Sequence, residues 1–406
     1  MSHANESFLR SPQLLTFNKS QNRSNSNNIK LIVIGQGTFA LKTTNSDGFE
    51  IKLVAKENAL LFSINKHNSQ LFSVIDGKKE LLTESNQVIL DQDIDATYWV
   101  SLNGLNGVFK FGIGEVRNDL TQFEFETNLK WVHNIDTIEP SANTEPVTLY
   151  RDPIVYDPSL KIIPTDEITI EDIALNNYVV PTDLTESCQK LYNNISGKNF
   201  KLNTSDFPDF TDAIEYSIKT PGCWCYETLK EKADEFGEEN PDETYLRITL
   251  GANQGDSPGI PYVIEIWPPN HYSPIHNHGD ANAVIRVLHG EINVSLFPML
   301  SEYHKTPFKS ATFRKDEITW ISPRYNQIHQ LHNKNIGGPS CITIQCYMYG
   351  EANTKHYEYF DYLENTNIEQ FTPNSDADYL VFKNIIKEEW NNKNQRVTES
   401  LLAYQN

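Results

Sequence analysis

The chain has 406 residues, 38% of them apolar, 11% aromatic and 22% charged, with a net charge of −20. At roughly 150 residues per domain this length predicts two or three packed domains, and the composition excludes a wholly disordered chain or a fibre. The charge excludes a general nucleic-acid binder, which needs clustered Lys and Arg, and disfavours an anionic membrane surface.

No apolar run reaches the ~18 residues of a membrane span. The start, MSHANESFLRSPQ, lacks the basic-then-apolar pattern of a secretory signal. Five cysteines (Cys188, Cys223, Cys225, Cys341 and Cys346) are too few for a disulfide framework, so a reducing cytoplasm is the expected compartment.

Residues 1–28 are rich in Ser and Asn and are expected to form a disordered tail. From 29 to 137 the runs KLIVI, FEIKLVA, ALLFSI, QLFSVI, QVIL, YWVSL and GVFKFGIG alternate with turn signals. That spacing predicts an antiparallel β-sandwich, with Phe62, Phe72, Trp99, Phe109 and Phe111 as core. Gly35-Gln36-Gly37-Thr38-Phe39-Ala40 fits a dinucleotide fingerprint, but a turn and a strand follow where that fingerprint needs a helix.

Residues 138–183, with several prolines and little periodicity, read as a linker. Helical runs follow in LTESCQKLYNNI, DFTDAIEYSI and WCYETLKEKADEF. Strands return in YLRITLG, YVIEIW, AVIRVLHG, EINVSLF, SATFR, EITWIS and CITIQCYMY. Cys223 and Cys225 lie on a predicted helix with no second pair, which favours packing over zinc. The segment 371–406 predicts a terminal helix. Tyr379, Phe382, Ile386 and Trp390 recur at helical spacing, and Ser375 with Asp378 suggests a capping box. The fold class expected is all-β dominated, with flanking helices on the second module.

The strongest chemical signal is His276-Asn277-His278, placed where a strand should begin. Alternation would point both imidazoles to one face, where they can share a metal. Gly290 follows in a turn between strands. His329 and His332 lie beyond Pro323, and either could supply a third ligand. His271, His289 and His304 read as rim or turn residues.

This order of His-x-His, Gly turn, Pro and later His, with Asn333 four residues after His329, resembles the two motifs of the cupin superfamily. The resemblance implies a small antiparallel β-barrel over about 184–370 holding a metal inside, with His276, His278 and His329 as ligands. The Glu that usually joins them is replaced by Ala283, which implies a three-histidine site with open coordination positions.

Within cupins the stretch 184–365 is similar to the cysteine dioxygenase (thiol dioxygenase) family. Trp267 stands nine residues before His276, Tyr245-Leu246-Arg247 precedes the barrel, and Tyr347 lies eighteen residues after His329. The resemblance implies Fe(2+), a small thiol and O2 as partners, and a sulfinic acid product. It implies Arg247 on a substrate carboxylate, cysteine being favoured, with Tyr245 and Trp267 beside the substrate and Tyr347 positioning the reactants. The family's Ser-His-Tyr triad becomes Thr343, Gln345 and Tyr347, and Gln345 can hydrogen-bond but cannot titrate. With Ala283 in place of cysteine, Tyr347 cannot be crosslinked.

The segment 49–114 resembles the farnesoic acid O-methyltransferase-type β-sandwich domain, yet holds no methyl-donor-binding glycine loop. We read the module as accessory, for oligomerisation or for binding a protein or ligand partner. Two rivals to the thiol dioxygenase stand beside it: a Zn, Ni or Mn cupin hydrolase or isomerase, and a non-enzymatic sulfur-metabolite sensor.

Overall fold

The structure, a computed structural model, describes residues 14–16, 28–175, 177–250, 261–349 and 360–404. Two compact units divide the chain, Met1–Asp157 and Pro158–Asn406. As expected, the fold is dominated by β-strands. Among the described residues no helix is long and apolar enough to cross a membrane.

The first unit comprises β1 (Leu14–Thr16), β2 (Ile29–Lys30), β3 (Gln36–Thr43), β4 (Gly48–Ala55), β5 (Asn58–Asn65), β6 (Ser69–Ile75), β7 (Lys78–Ser85), β8 (Thr97–Asn103), β9 (Val108–Ile113), β10 (Thr121–Glu126), β11 (Thr137–Pro140) and β12 (Thr144–Tyr150). They form two six-stranded sheets, ordered β1-β12-β3-β8-β9-β10 and β2-β11-β4-β5-β6-β7.

Aromatic rings join the two layers. Phe62 on β5 meets Phe109 and Phe111 on β9 at centroid distances of 5.3 and 4.7 Å, and Phe49 on β4 meets Tyr98 on β8 at 5.0 Å. Burying such rings is the main driving force available to a sandwich. Of the five aromatics expected in the core, Phe72 is the exception. It is only partly buried, with the Lys79 ammonium 3.8 Å from its ring centre.

The glycine-rich GQGTFA segment runs on as β3, so no helix N-terminus faces it, as expected. Three other expectations for this unit change. KLIVI is strand only at its first residue, in β2. QVIL lies in a bend, and the polar KKELLTES forms the outermost strand β7 instead. Within the stretch read as linker, β12 pairs with β3 and with β1, which sits inside the presumed tail. The remainder of that tail, through residue 27, lies outside the described residues.

The second unit holds β13 (Lys161–Ile162), α1 (Ile170–Leu175), α2 (Glu186–Ile195), α3 (Phe210–Lys219), α4 (Trp224–Glu231), β14 (Leu246–Thr249), β15 (Tyr262–Trp267), β16 (Asn282–His289), β17 (Glu291–Leu296), β18 (Lys309–Arg314), β19 (Ile318–Ile321), β20 (His329–His332), β21 (Cys341–Met348), β22 (Phe360–Glu364), β23 (Asn367–Phe371), β24 (Ala377–Asp378) and α5 (Tyr379–Tyr404). Its large sheet runs β13-β19-β16-β21-β15-β14-β24, and β18-β17-β20 forms a second sheet. Val287 and Trp267 of the first share one core with Ile292, Val294, Phe313 and Leu331 of the second, so the sheets close on each other as a barrel.

The β16–β17 hairpin turns at Gly290, whose φ of +70° disfavours any residue with a Cβ. A Cβ there would also sit 2.5 Å from the Ser340 carbonyl oxygen.

Helices cover the outer face of the large sheet. Thr185 caps α2, its Oγ1 accepting from the Cys188 amide at 3.2 Å. Phe382 and Ile386 of α5 are buried, Phe382 against Phe210 and Trp224. The expected capping box does not form. The Ser375 hydroxyl accepts from the Thr249 amide at 2.9 Å instead, tying the helix entry to β14. Cys225 is buried in α4 and Cys223 stands just before it, as packing residues.

Candidate metal centre

Alternation gives the large sheet two different faces. Leu246, Ile248, Ile264, Ile266, Ile342, Ile344 and Cys346 point to the helices and form an apolar core with them. The intervening residues point into the barrel: Arg247 on β14, Glu265 and Trp267 on β15, and Thr343, Gln345 and Tyr347 on β21. Register aligns them, with Arg247 opposite Glu265, Glu265 opposite Thr343, and Ala283 of β16 opposite Tyr347.

The three histidines come from two stretches pinned together. His276 and His329 exchange both backbone hydrogen bonds, each 3.1 Å. The His-x-His pair therefore does not open a strand as expected. His276 sits in an isolated bridge and His278 in the loop before a turn. The rings still converge. Centroids lie 4.6 Å (His276–His329), 4.9 Å (His276–His278) and 4.9 Å (His278–His329) apart, and one nitrogen from each lies within 4.8 Å of the others.

The supporting hydrogen bonds set the tautomers. His276 Nδ1 donates to the Pro274 carbonyl at 2.9 Å and His329 Nδ1 to the Asn326 carbonyl at 3.2 Å. That leaves both Nε2 lone pairs facing inward, the usual way a protein orients metal-binding imidazoles. His276 Nε2 lies 3.1 Å from His278 Nε2, and His329 Nε2 is buried without a hydrogen-bond partner. An acceptor nitrogen left bare out of water, as at His329 Nε2, is unfavourable unless a cation meets it. The donor set fits a divalent ion.

Burial pushes the His276 ring down to about 4 and the His329 ring down to about 3. His278 falls well below its ordinary value, through burial first and then through its neighbours. All three are neutral at pH 7, the form that ligates. Because their folded values lie below the ordinary ~6.5, this neutral packing is fully favourable above that pH. It is progressively lost as pH falls toward 4.

Each ring contributes up to about 1.4 kcal/mol per pH unit in that window. Metal-free protein should therefore show a lower urea midpoint at pH 5 than at pH 7.5, with a smaller drop in His278→Gln. Equal drops in the two proteins would contradict this.

His332 points the other way on β20, partly exposed and 5.3 Å from the Tyr272 ring. His271 Nδ1 stays with Thr244, 3.0 Å from its Oγ1 and 2.9 Å from its carbonyl oxygen. Neither these nor His289 and His304 join the cluster. Asn333 is a tie rather than a ligand, donating to the carbonyl oxygens of Trp267 (2.9 Å) and Pro339 (3.2 Å).

Around the histidines runs a directed chain of hydrogen bonds. The Tyr347 hydroxyl donates to Gln345 Oε1, and Gln345 Nε2 donates to Glu265 Oε2. Arg247 Nη1 donates to Glu265 Oε1 at 2.5 Å. Thr343 Oγ1 receives Trp267 Nε1 at 3.5 Å. Tyr347 stacks on His278 at 5.4 Å and Phe360 packs on it at 4.4 Å, while Tyr245 stacks on Trp267 at 4.2 Å. Every side chain expected from the sequence thus lies inside the barrel. Sequence reasoning missed Glu265 and Phe360. A lone carboxylate inside the apolar run YVIEIW was the available signal for Glu265.

No family model matches the chain. Among solved structures it is similar to the Cupin_2 domain of an XRE family transcriptional regulator from Enterobacter cloacae, with TM-score 0.21 and 13% identity over 26% of this chain and 98% of that one. It is similar also to a cupin 2 domain-containing protein from Halorhodospira halophila (TM-score 0.20, 17% identity, 26% of this chain and 64% of that one). A third is an oxalate oxidase in complex with the substrate analogue glycolate (TM-score 0.22, 17% identity), where 29% of this chain matches 55% of that one.

Proposed function

We propose that the second unit is a cupin-type metalloenzyme, and within that class an iron-dependent thiol dioxygenase acting on a small thiol. The observation that carries the reading is the buried cluster of three neutral imidazoles, with nitrogens turned inward beside the Tyr347–Gln345–Glu265–Arg247 chain. His276, His278 and His329 would hold the ion. Bound there, Fe(2+) would supply the redox chemistry that lets O2 react with a thiol.

The overall change is R–SH plus O2 to R–SO2H. Sulfur is oxidised, O2 is reduced, and no further reductant is consumed. The chain's own residues bind and orient. Tyr347 stands over His278 with its hydroxyl held by Gln345. Trp267 and Tyr245 form an apolar wall that excludes water, and the outer hydrogen bonds fix the imidazoles. We propose the sandwich as an accessory binding module.

The test is aerobic incubation of the iron-loaded full chain with a panel of small thiols, followed by oxygen uptake and product mass. A gain of two oxygen atoms on one thiol is expected. Stoichiometric iron with no oxygen consumed on any thiol would end the reading and favour another class of cupin chemistry.

A further inference from the structure

The sequence points Arg247 at a substrate carboxylate, but the barrel already holds one for it. Arg247 and Glu265 are cross-strand partners. Their ion pair is 2.5 Å long, and each residue is only 3% exposed. A substrate carboxylate at the remaining N–H groups of Arg247 would set a second anion beside the buried Glu265, and turning Arg247 wholly to it would take the cation from Glu265; both are unfavourable out of water.

The surroundings do not restore a positive field. Lys232 binds Asp376 at 3.1 Å, with Glu235 3.2 Å from the same ammonium, and Asp376 also accepts the Arg247 backbone N–H at 2.6 Å. Two cations thus face three carboxyl groups, so these side chains carry no excess positive charge.

Glu265 also sets the direction of the chain. An ionised carboxylate only accepts, so it draws the Gln345 amide NH2 toward itself and turns Oε1 to Tyr347. The Tyr347 proton goes to Gln345, and its oxygen can then only accept from a molecule at the histidines.

We propose that Glu265 is a specificity-determining residue. It stands in for the substrate carboxylate on Arg247, so the site takes thiols that lack a carboxylate. The inference rests on the thiol reading of the metal centre.

The full chain, loaded with Co(2+) and kept anaerobic, would be titrated with cysteamine, cysteine and mercaptopropionate while the cobalt absorption is followed. Wild type is expected to bind cysteamine about tenfold or more tighter than mercaptopropionate, whose carboxylate meets a guanidinium already neutralised by Glu265 and so lacks about one charge-assisted contact. Glu265→Gln is expected to move that ratio about tenfold toward mercaptopropionate. The double variant Arg247→Met/Glu265→Leu, which has no freed guanidinium, should show no such gain.

Tighter mercaptopropionate binding by wild type, or an unchanged ratio in Glu265→Gln with cobalt retained, would overturn the proposal alone. A gain in the double variant equal to that in Glu265→Gln would do the same. If Glu265→Gln does not fold, the wild-type ratio decides. Cobalt bound with no response to any thiol would overturn the thiol reading and this inference together.

Discussion

His329→Ala is expected to abolish stoichiometric divalent-metal binding by the full chain, whereas His332→Ala should bind as wild type. His329 contributes one of three buried nitrogens that lie within 4.8 Å of one another. Removing even a residue that merely supports a ligand costs about 10–100-fold in metal affinity, so losing a ligand should cost more than about 100-fold. His332 sits three residues on along the same strand and faces away, toward Tyr272. Metal content after dialysis against a weak chelator reads the difference, and circular dichroism confirms that both variants fold. Loss of metal in His332→Ala with retention in His329→Ala would exchange the two roles.

The second large effect is on stability. Arg247→Met should cost about 3–5 kcal/mol, because it strands the buried Glu265 carboxylate. Deleting Glu265 as well, with Leu, should recover most of the loss, since two apolar groups filling the same space are often nearly neutral against an ion pair.

The deficit has a pH signature. Burial already holds the Glu265 carboxyl up, at about 7, against the opposing pull of Arg247. A carboxyl raised above its unfolded value loses stability as pH rises through that range, and without Arg247 the rise is larger. The single variant should therefore lie furthest below wild type at pH 8 and approach it at pH 5. Denaturant midpoints at the two pH values measure this, and a deficit that grows on acidification would contradict it.

Much of the site was legible because a strand has a period of two. Thr343, Gln345 and Tyr347 share a face by count alone, as do Tyr245 and Arg247, and the structure puts these side chains within the barrel. The convergence of His276, His278 and His329 was also foreseen, although for a partly different reason. A strand was expected at His276, yet isolated bridges to His329 and Tyr362 do the positioning.

What was not legible depends on register between segments. Glu265 meets Arg247 only because β14 and β15 pair at that offset, and nothing local in either strand states it. β7 was missed because an outermost strand with a largely exposed face carries polar residues that mimic a loop. QVIL was over-read because a short apolar run can bury itself from a bend. Ser375 has the spacing of a helix cap, but the neighbouring strand β14 competes for its hydroxyl.

X-ray absorption at the metal edge, on full-length protein reconstituted with iron under anaerobic conditions, addresses the metal cluster itself. One ion per chain with three imidazole nitrogens around it is expected, falling to two in His329→Ala if any metal remains. An ion surrounded by oxygen donors, or an imidazole count that is unchanged in that variant, would contradict it.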